Sequence, residues 1–184
     1  MARMRPLAGD DASLLSKQEE RATTQQEAAY LERIRAAHQR ECAICGTHNP
    51  TGLRLSFRTS SPGRVEARFL CDRVLRGYPA MLHGGVAAAI LDDAMANCLF
   101  SLGTAGYTGE LVVRYLAPVA LGCAAEVHAE LTRSCDPMHY LTAELRQEGK
   151  TVVQAFGKFV DVLWTADLHN VPEGDEAQPL AAGA

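Results

Sequence analysis

Residues 82–100 read Leu-His-Gly-Gly-Val-Ala-Ala-Ala-Ile-Leu-Asp-Asp-Ala-Met-Ala-Asn-Cys-Leu-Phe. After the bare glycine entry at Gly84 and Gly85, apolar or small residues occupy almost every side of a helix. A helix of that kind belongs in a core. Yet this one carries Asp92 and Asp93, and an unpaired buried carboxylate is costly. Whatever fold the chain adopts must cover this helix and either satisfy or use its acids.

The flanking sequence supplies the cover. Ahead of the helix, Leu53, Leu55 and Phe57 alternate with polar residues. After the turn at Ser60-Ser61-Pro62-Gly63, Val65, Ala67 and Phe69 do the same. Period-2 alternation around turn residues predicts a hairpin with one dry face. Residues 72–80 form a loop leading into the helix. Beyond it, strands are expected over 107–116, 124–133, 139–148 and 151–163, separated by Pro118 with Gly122, Asp136-Pro137 and Glu148-Gly149-Lys150. Connections this short imply antiparallel hairpins. The expected class is α+β: a six-stranded antiparallel sheet curved around one long helix.

The ends are plainer. Residues 1–25 are polar and expected to be poorly ordered. A thin stripe of Ala28, Leu31, Ile34 and Ala37 predicts a helix over 26–40, laid on the main body or on a partner. Residues 1–41 are thus read as a partly helical extension, 42–164 as the domain and 165–184 as a flexible tail. The basic N-terminus has no apolar signal core behind it. No apolar run is long enough to span a bilayer, and the formal net charge of −4 draws the chain toward neither nucleic acid nor anionic membrane. A cytoplasmic protein is expected.

Six cysteines are present, and without a secretion signal free thiols are expected. Cys42-x-x-Cys45-Gly46 has half of a zinc-knuckle spacing. No second pair follows it and His48 stands alone, so an ordinary turn with two thiols is the first expectation, with no metal and no cofactor; a zinc-stabilised interaction domain, its site completed by a second subunit, is the alternative left open.

Chemistry points to the central helix. The first-turn N–H groups at Gly84 and Gly85 face anything that approaches, at the positive end of the helix dipole. His83 at the entry is read as a cap on the helix or a pin for the loop rather than a base. Asp93 shares a face with Asn97 and Ser101, which reads as the wetter side. Asp92 shares its face with Gly85, Ala88, Met95, Ala96 and Leu99. It is a lone acid on an apolar stripe, and so a base or nucleophile. Gly85 and Asp92 lie seven residues apart, roughly 10 Å along the axis. One substrate carbonyl cannot meet both in a single chain. Two such helices packed antiparallel across a two-fold axis would bring each entry to the other chain's Asp92.

His83-Gly84-Gly85-Val86, Leu91-Asp92-Asp93-Ala94-Met95 and the run from Thr108 to Val119 with Glu110-Leu111, Val113-Arg114-Tyr115-Leu116 and Pro118 resemble the hot-dog-fold thioesterases of the phenylacetate-degradation type. Cys45-Gly46-x-x-Asn49-Pro50-x-Gly52-Leu53 and Gly77-Tyr78-Pro79 share the likeness, which covers residues 42–163. The resemblance implies a dimer with a continuous sheet, often doubled to a tetramer, and hydrolysis of an acyl-coenzyme A thioester without a cofactor. It implies that the Gly84 N–H polarises the carbonyl, that Asp92 activates water or attacks, and that Thr108 helps to place the nucleophile. His83 and Gly85 would contact substrate. Some relatives carry a carboxamide, Asn or Gln, just ahead of the His-Gly-Gly run; here that neighbourhood is Arg76-Gly77-Tyr78. The competing expectation is a hot-dog protein that binds acyl-coenzyme A without cleaving it.

Overall fold

The structure is a computed structural model that describes residues 9–161. The chain forms α1 (Gly9–His38), β1 (Arg58–Ser61), β2 (Arg64–Leu70), a single 3-10 turn (Arg73–Leu75), α2 (Gly84–Ser101), β3 (Gly106–Tyr115), β4 (Ala124–Cys135), β5 (Met138–Gln147) and β6 (Lys150–Asp161). The six strands make one antiparallel sheet in the order β1-β2-β4-β5-β6-β3. The hairpin turns use left-handed backbone where the sequence places glycine. Gly63 closes β1–β2 at φ +67°. Glu148 and Gly149, at φ 51° and 74°, close β5–β6 as a two-residue loop matched to the strand twist.

The dry face of the sheet carries Val65, Ala67, Val127, Ala129, Leu141, Ala143, Leu145, Val153 and Ala155, all buried. α2 lies on this face and touches β2 through β6. Its far side is closed by α1, which explains why a helix in a two-layer fold can be apolar all round.

Several expectations need correction. α1 begins at Gly9, far ahead of the 26–40 expected, so residues 9–25 are helical. Among its described side chains, Glu27 and Leu31 are buried and Thr24, Tyr30, Ile34 and Arg35 partly so, while Ala28 and Ala37 face outward. Glu27 is there to accept the Gly63 N–H on both carboxylate oxygens, each at 3.1 Å, tying α1 to the β1–β2 turn. Residues 53–57 keep their alternation, with Leu55 and Phe57 buried and Arg54 and Ser56 exposed, but they join no strand. Leu53 and Leu55 N–H instead donate to Ala43 and Ile44 carbonyls, and Arg54 sits at φ 54°, so the hairpin starts only at Arg58. The four later strands fall within two residues of expectation. Residues 162 onward, including the expected tail, lie outside the described residues.

The connector between α1 and β1 turns at Cys42–Gly46, where the Gly46 N–H donates to Cys42 O at 3.0 Å. A Cβ at Gly46 would stand 2.4 Å from Cys42 N and 2.5 Å from Cys42 O. Backbone cannot yield as a side chain can. Gly46→Ala is therefore expected to cost about 2–3 kcal/mol, measured as a lower midpoint in urea unfolding with an unchanged slope.

Candidate active site

The helix entry is built by its loop. His83 is the N-cap, in extended backbone at φ −63° and ψ 130°. Its Nδ1 accepts the Gly85 N–H at 2.9 Å, and its carbonyl accepts from Ala87 N–H at 3.0 Å. The His83 N–H in turn donates to Leu75 O at 2.9 Å, fixing the loop beneath it. Gly77 lets the loop pass close, since a Cβ there would lie 2.8 Å from His83 Cα. With the Gly85 N–H engaged by His83, the Gly84 N–H is left as a first-turn donor with no intrahelical acceptor. The Tyr115 hydroxyl, at the end of β3, donates to Gly84 O at 2.8 Å and secures this peptide from the carbonyl side. Tyr115 belongs to the family-like run, but nothing in the sequence alone distinguishes its hydroxyl from that of any other strand tyrosine.

Two turns further on, Asp92 is half-buried, and the Thr108 hydroxyl at the start of β3 donates to its Oδ1 at 2.7 Å. Burial raises the Asp92 pKa above the usual carboxylate range, the Thr108 hydrogen bond opposes this, and the Cys42 sulfur adds a smaller upward push. A carboxylate held in this way is a stronger base than one in water. Asp92 and Gly84 stand eight residues apart on one helix, about 12 Å along its axis. The geometry therefore brings Asp92 to Thr108 and Gly84 to Tyr115, but keeps the two pairs at opposite ends of β3.

Asp93, Asn97 and Ser101 are not on a wet side, as expected, but are 5%, 0% and 0% exposed. The connector and α1 lie over this face. Cys42 Sγ donates to Asp93 Oδ1 at 3.3 Å, and the Asn97 Nδ2 donates to Asp93 O at 2.8 Å and Oδ2 at 3.2 Å. The periodicity rightly separates Asp92 from Asp93, but it cannot reveal a second layer of chain over α2. Burial pushes the Asp93 pKa up to about 7, with the Cys42 sulfur adding to it.

β3 is the outer strand beyond β6, and its other edge pairs with no strand among the described residues. It is also poorly covered: Tyr107, Val112, Tyr115 and the following Leu116 are 46–53% exposed. In the loop before α2, Val74 and Tyr78 are 84% and 75% exposed. A concavity of about 830 Å³ lies away from Asp92, over the polar face of the sheet, among Glu66, His128, Glu144 and Gln154.

Residues 80–154 match the family model of the thioesterase superfamily. The bovine acyl-coenzyme A thioesterase THEM4 is 27% identical over 106 residues, covering 56% of this chain. The chain spans 44% of the length of that relative. Among solved structures, a thioesterase superfamily protein is 26% identical with a TM-score of 0.64, over 66% of this chain and 61% of that one. The Escherichia coli PaaI protein, from the phenylacetic acid degradation operon, is 18% identical with a TM-score of 0.62, over 73% and 93% of the two chains.

Proposed function

We propose that this hot-dog domain of the thioesterase superfamily hydrolyses an acyl-coenzyme A thioester to the free acid and coenzyme A. The observation that carries the reading is Asp92: a half-buried acid on the core helix, held at one oxygen by Thr108, two turns from an open helix-entry donor. In the reaction, Asp92 draws a proton from water as it attacks the thioester carbon, or attacks that carbon itself. The Gly84 N–H of the other subunit takes the charge that develops on the carbonyl oxygen. The carbon–sulfur bond breaks: when water attacks, the coenzyme leaves as its thiol with the proton that Asp92 drew, and when Asp92 attacks, it leaves as a thiolate that solvent protonates, and water then cleaves the Asp92 anhydride to release the acid. His83 and Tyr115 hold the Gly84 peptide in place, and Thr108 aims Asp92.

The split site needs a dimer. The outer β3 edge, which meets no strand among the described residues and carries exposed apolar side chains, supports a homodimer in which two β3 strands meet and extend the sheet, since an open edge invites uncontrolled pairing. A dimer of such dimers is part of the same reading. So is a cytoplasmic location; no helix among the described residues is long and apolar enough to cross a membrane.

The test is release of free thiol from a panel of short, long, branched and aryl acyl-coenzyme A substrates. Turnover of one class is expected. Tight binding across the panel with no thiol release would mark the protein as a non-catalytic acyl-coenzyme A binder instead. Within the active enzyme, Thr108→Ala is expected to lower kcat about tenfold while leaving KM within about twofold, because the lost hydrogen bond orients Asp92 rather than the substrate.

A further inference from the structure

The cysteine pair that the sequence leaves as a plain turn has a third ligand that the sequence hides. Cys42, Cys45 and Asp93 place their two Sγ atoms and a carboxylate oxygen within 4.8 Å of one another. We propose that these three residues bind a zinc ion, with Gln39 Oε1 as the fourth donor.

The donor set has the shape this requires. In a tetrahedral zinc site, sulfur and oxygen ligands lie about 3.5 Å apart and two sulfurs about 3.8 Å apart. Cys42 Sγ and Asp93 Oδ1 are 3.3 Å apart, and Cys45 Sγ and Gln39 Oε1 are 2.9 Å apart. Small outward shifts admit the ion. The Ile44 N–H already donates to Cys42 Sγ at 3.3 Å, the kind of contact that stabilises negative charge on a ligating sulfur. Thiolate with carboxylate suits zinc rather than copper(I), which prefers sulfur alone, or magnesium, which prefers oxygen alone.

A surrounding shell is present as well. Asn97 is fully buried, and its amide nitrogen is aimed into the cluster, 3.2 Å from Asp93 Oδ2, 3.7 Å from Cys45 Sγ and 3.5 Å from Gln39 Oε1. Its Oδ1 has no partner among the described residues. Arg35 reaches the same corner, donating to Cys45 O at 3.0 Å. Two thiols, a carboxylate and two carboxamides thus converge around one point at the junction of α1, the connector and α2. Cys45 and Asp93 are 1% and 5% exposed, so an ion there would be held inside the fold. His48, the ligand the sequence offers, is turned instead to Thr47 and Arg40, at 3.1 and 3.0 Å.

The test is elemental analysis of the untagged full chain, purified without chelator from zinc-supplemented medium. About one zinc per chain is expected, lost in Cys45→Ser and Asp93→Asn and kept in Cys123→Ser. The chelated protein is then loaded with cobalt(II), which should give intense visible bands and thiolate charge transfer. This second readout needs only the parent chain, so it decides the matter even if a variant fails to fold. Zinc below about one-tenth per chain, zinc that persists in Cys45→Ser, a weak octahedral cobalt spectrum, or a Cys42–Cys45 disulfide in protein alkylated at lysis would each overturn the proposal.

Discussion

Asp92→Asn should release coenzyme A about 10³-fold more slowly than the parent protein, with its fold intact. The substitution changes the group that can accept a proton and little else. An asparagine oxygen can still accept the Thr108 hydroxyl at the position Asp92 Oδ1 now holds. Burial disfavours the charge of Asp92, so removing that charge costs the fold nothing. Loss of turnover can then be read as lost chemistry: kcat falls, unfolding is unchanged and acyl-coenzyme A binding survives. Turnover within tenfold of the parent, in the free-thiol assay, would remove Asp92 from the reaction.

Gly84→Pro is the matching lesion at the other half of the site. Proline suits the first position of a helix, and His83 before it already has the extended backbone that proline demands. The substitution deletes one N–H and leaves the helix standing. Loss of a single oxyanion donor is worth about 10²–10³ in kcat. The two variants together test the division of the site between chains. In an equal mixture with free subunit exchange, half of the dimers are mixed, and one of the two sites in each mixed dimer has both groups intact. Two nearly inactive proteins should therefore recover about a quarter of the parent activity on mixing. No recovery, with exchange verified by mass, would place both groups in one chain.

The sequence carries most of the fold because its signals are local. Alternation and turn residues locate β2 through β6, and the apolar run locates α2. Where the chain answers to distant partners, local signals mislead. Residues 53–57 have strand alternation, yet their N–H groups bond to the connector. Glu27 appears as a solvated polar residue between apolar ones, yet it is buried because the Gly63 N–H awaits it. In the site, the single-residue offset between Asp92 and Asp93 is legible from the 100° step of a helix. Which of the two is the more deeply buried is not, because that depends on α1 and the Cys42–Cys45 turn folding back over α2. His83 as a cap is legible from its place before two glycines. The Tyr115 hydroxyl on Gly84 O is not, since a strand tyrosine gives no sign of what its far end will meet.

β3 holds Asp92 at one end through Thr108 and the helix entry at the other through Tyr115, and it is also one of the sheet's two outer strands. The contacts that position Asp92 and the helix entry and the edge that would meet a second copy are one ten-residue element. Under the split-site reading, dilution becomes a form of inhibition. Specific activity should fall as protein concentration drops through the dimer dissociation constant, and substrate, by bridging two chains, should pull that constant down.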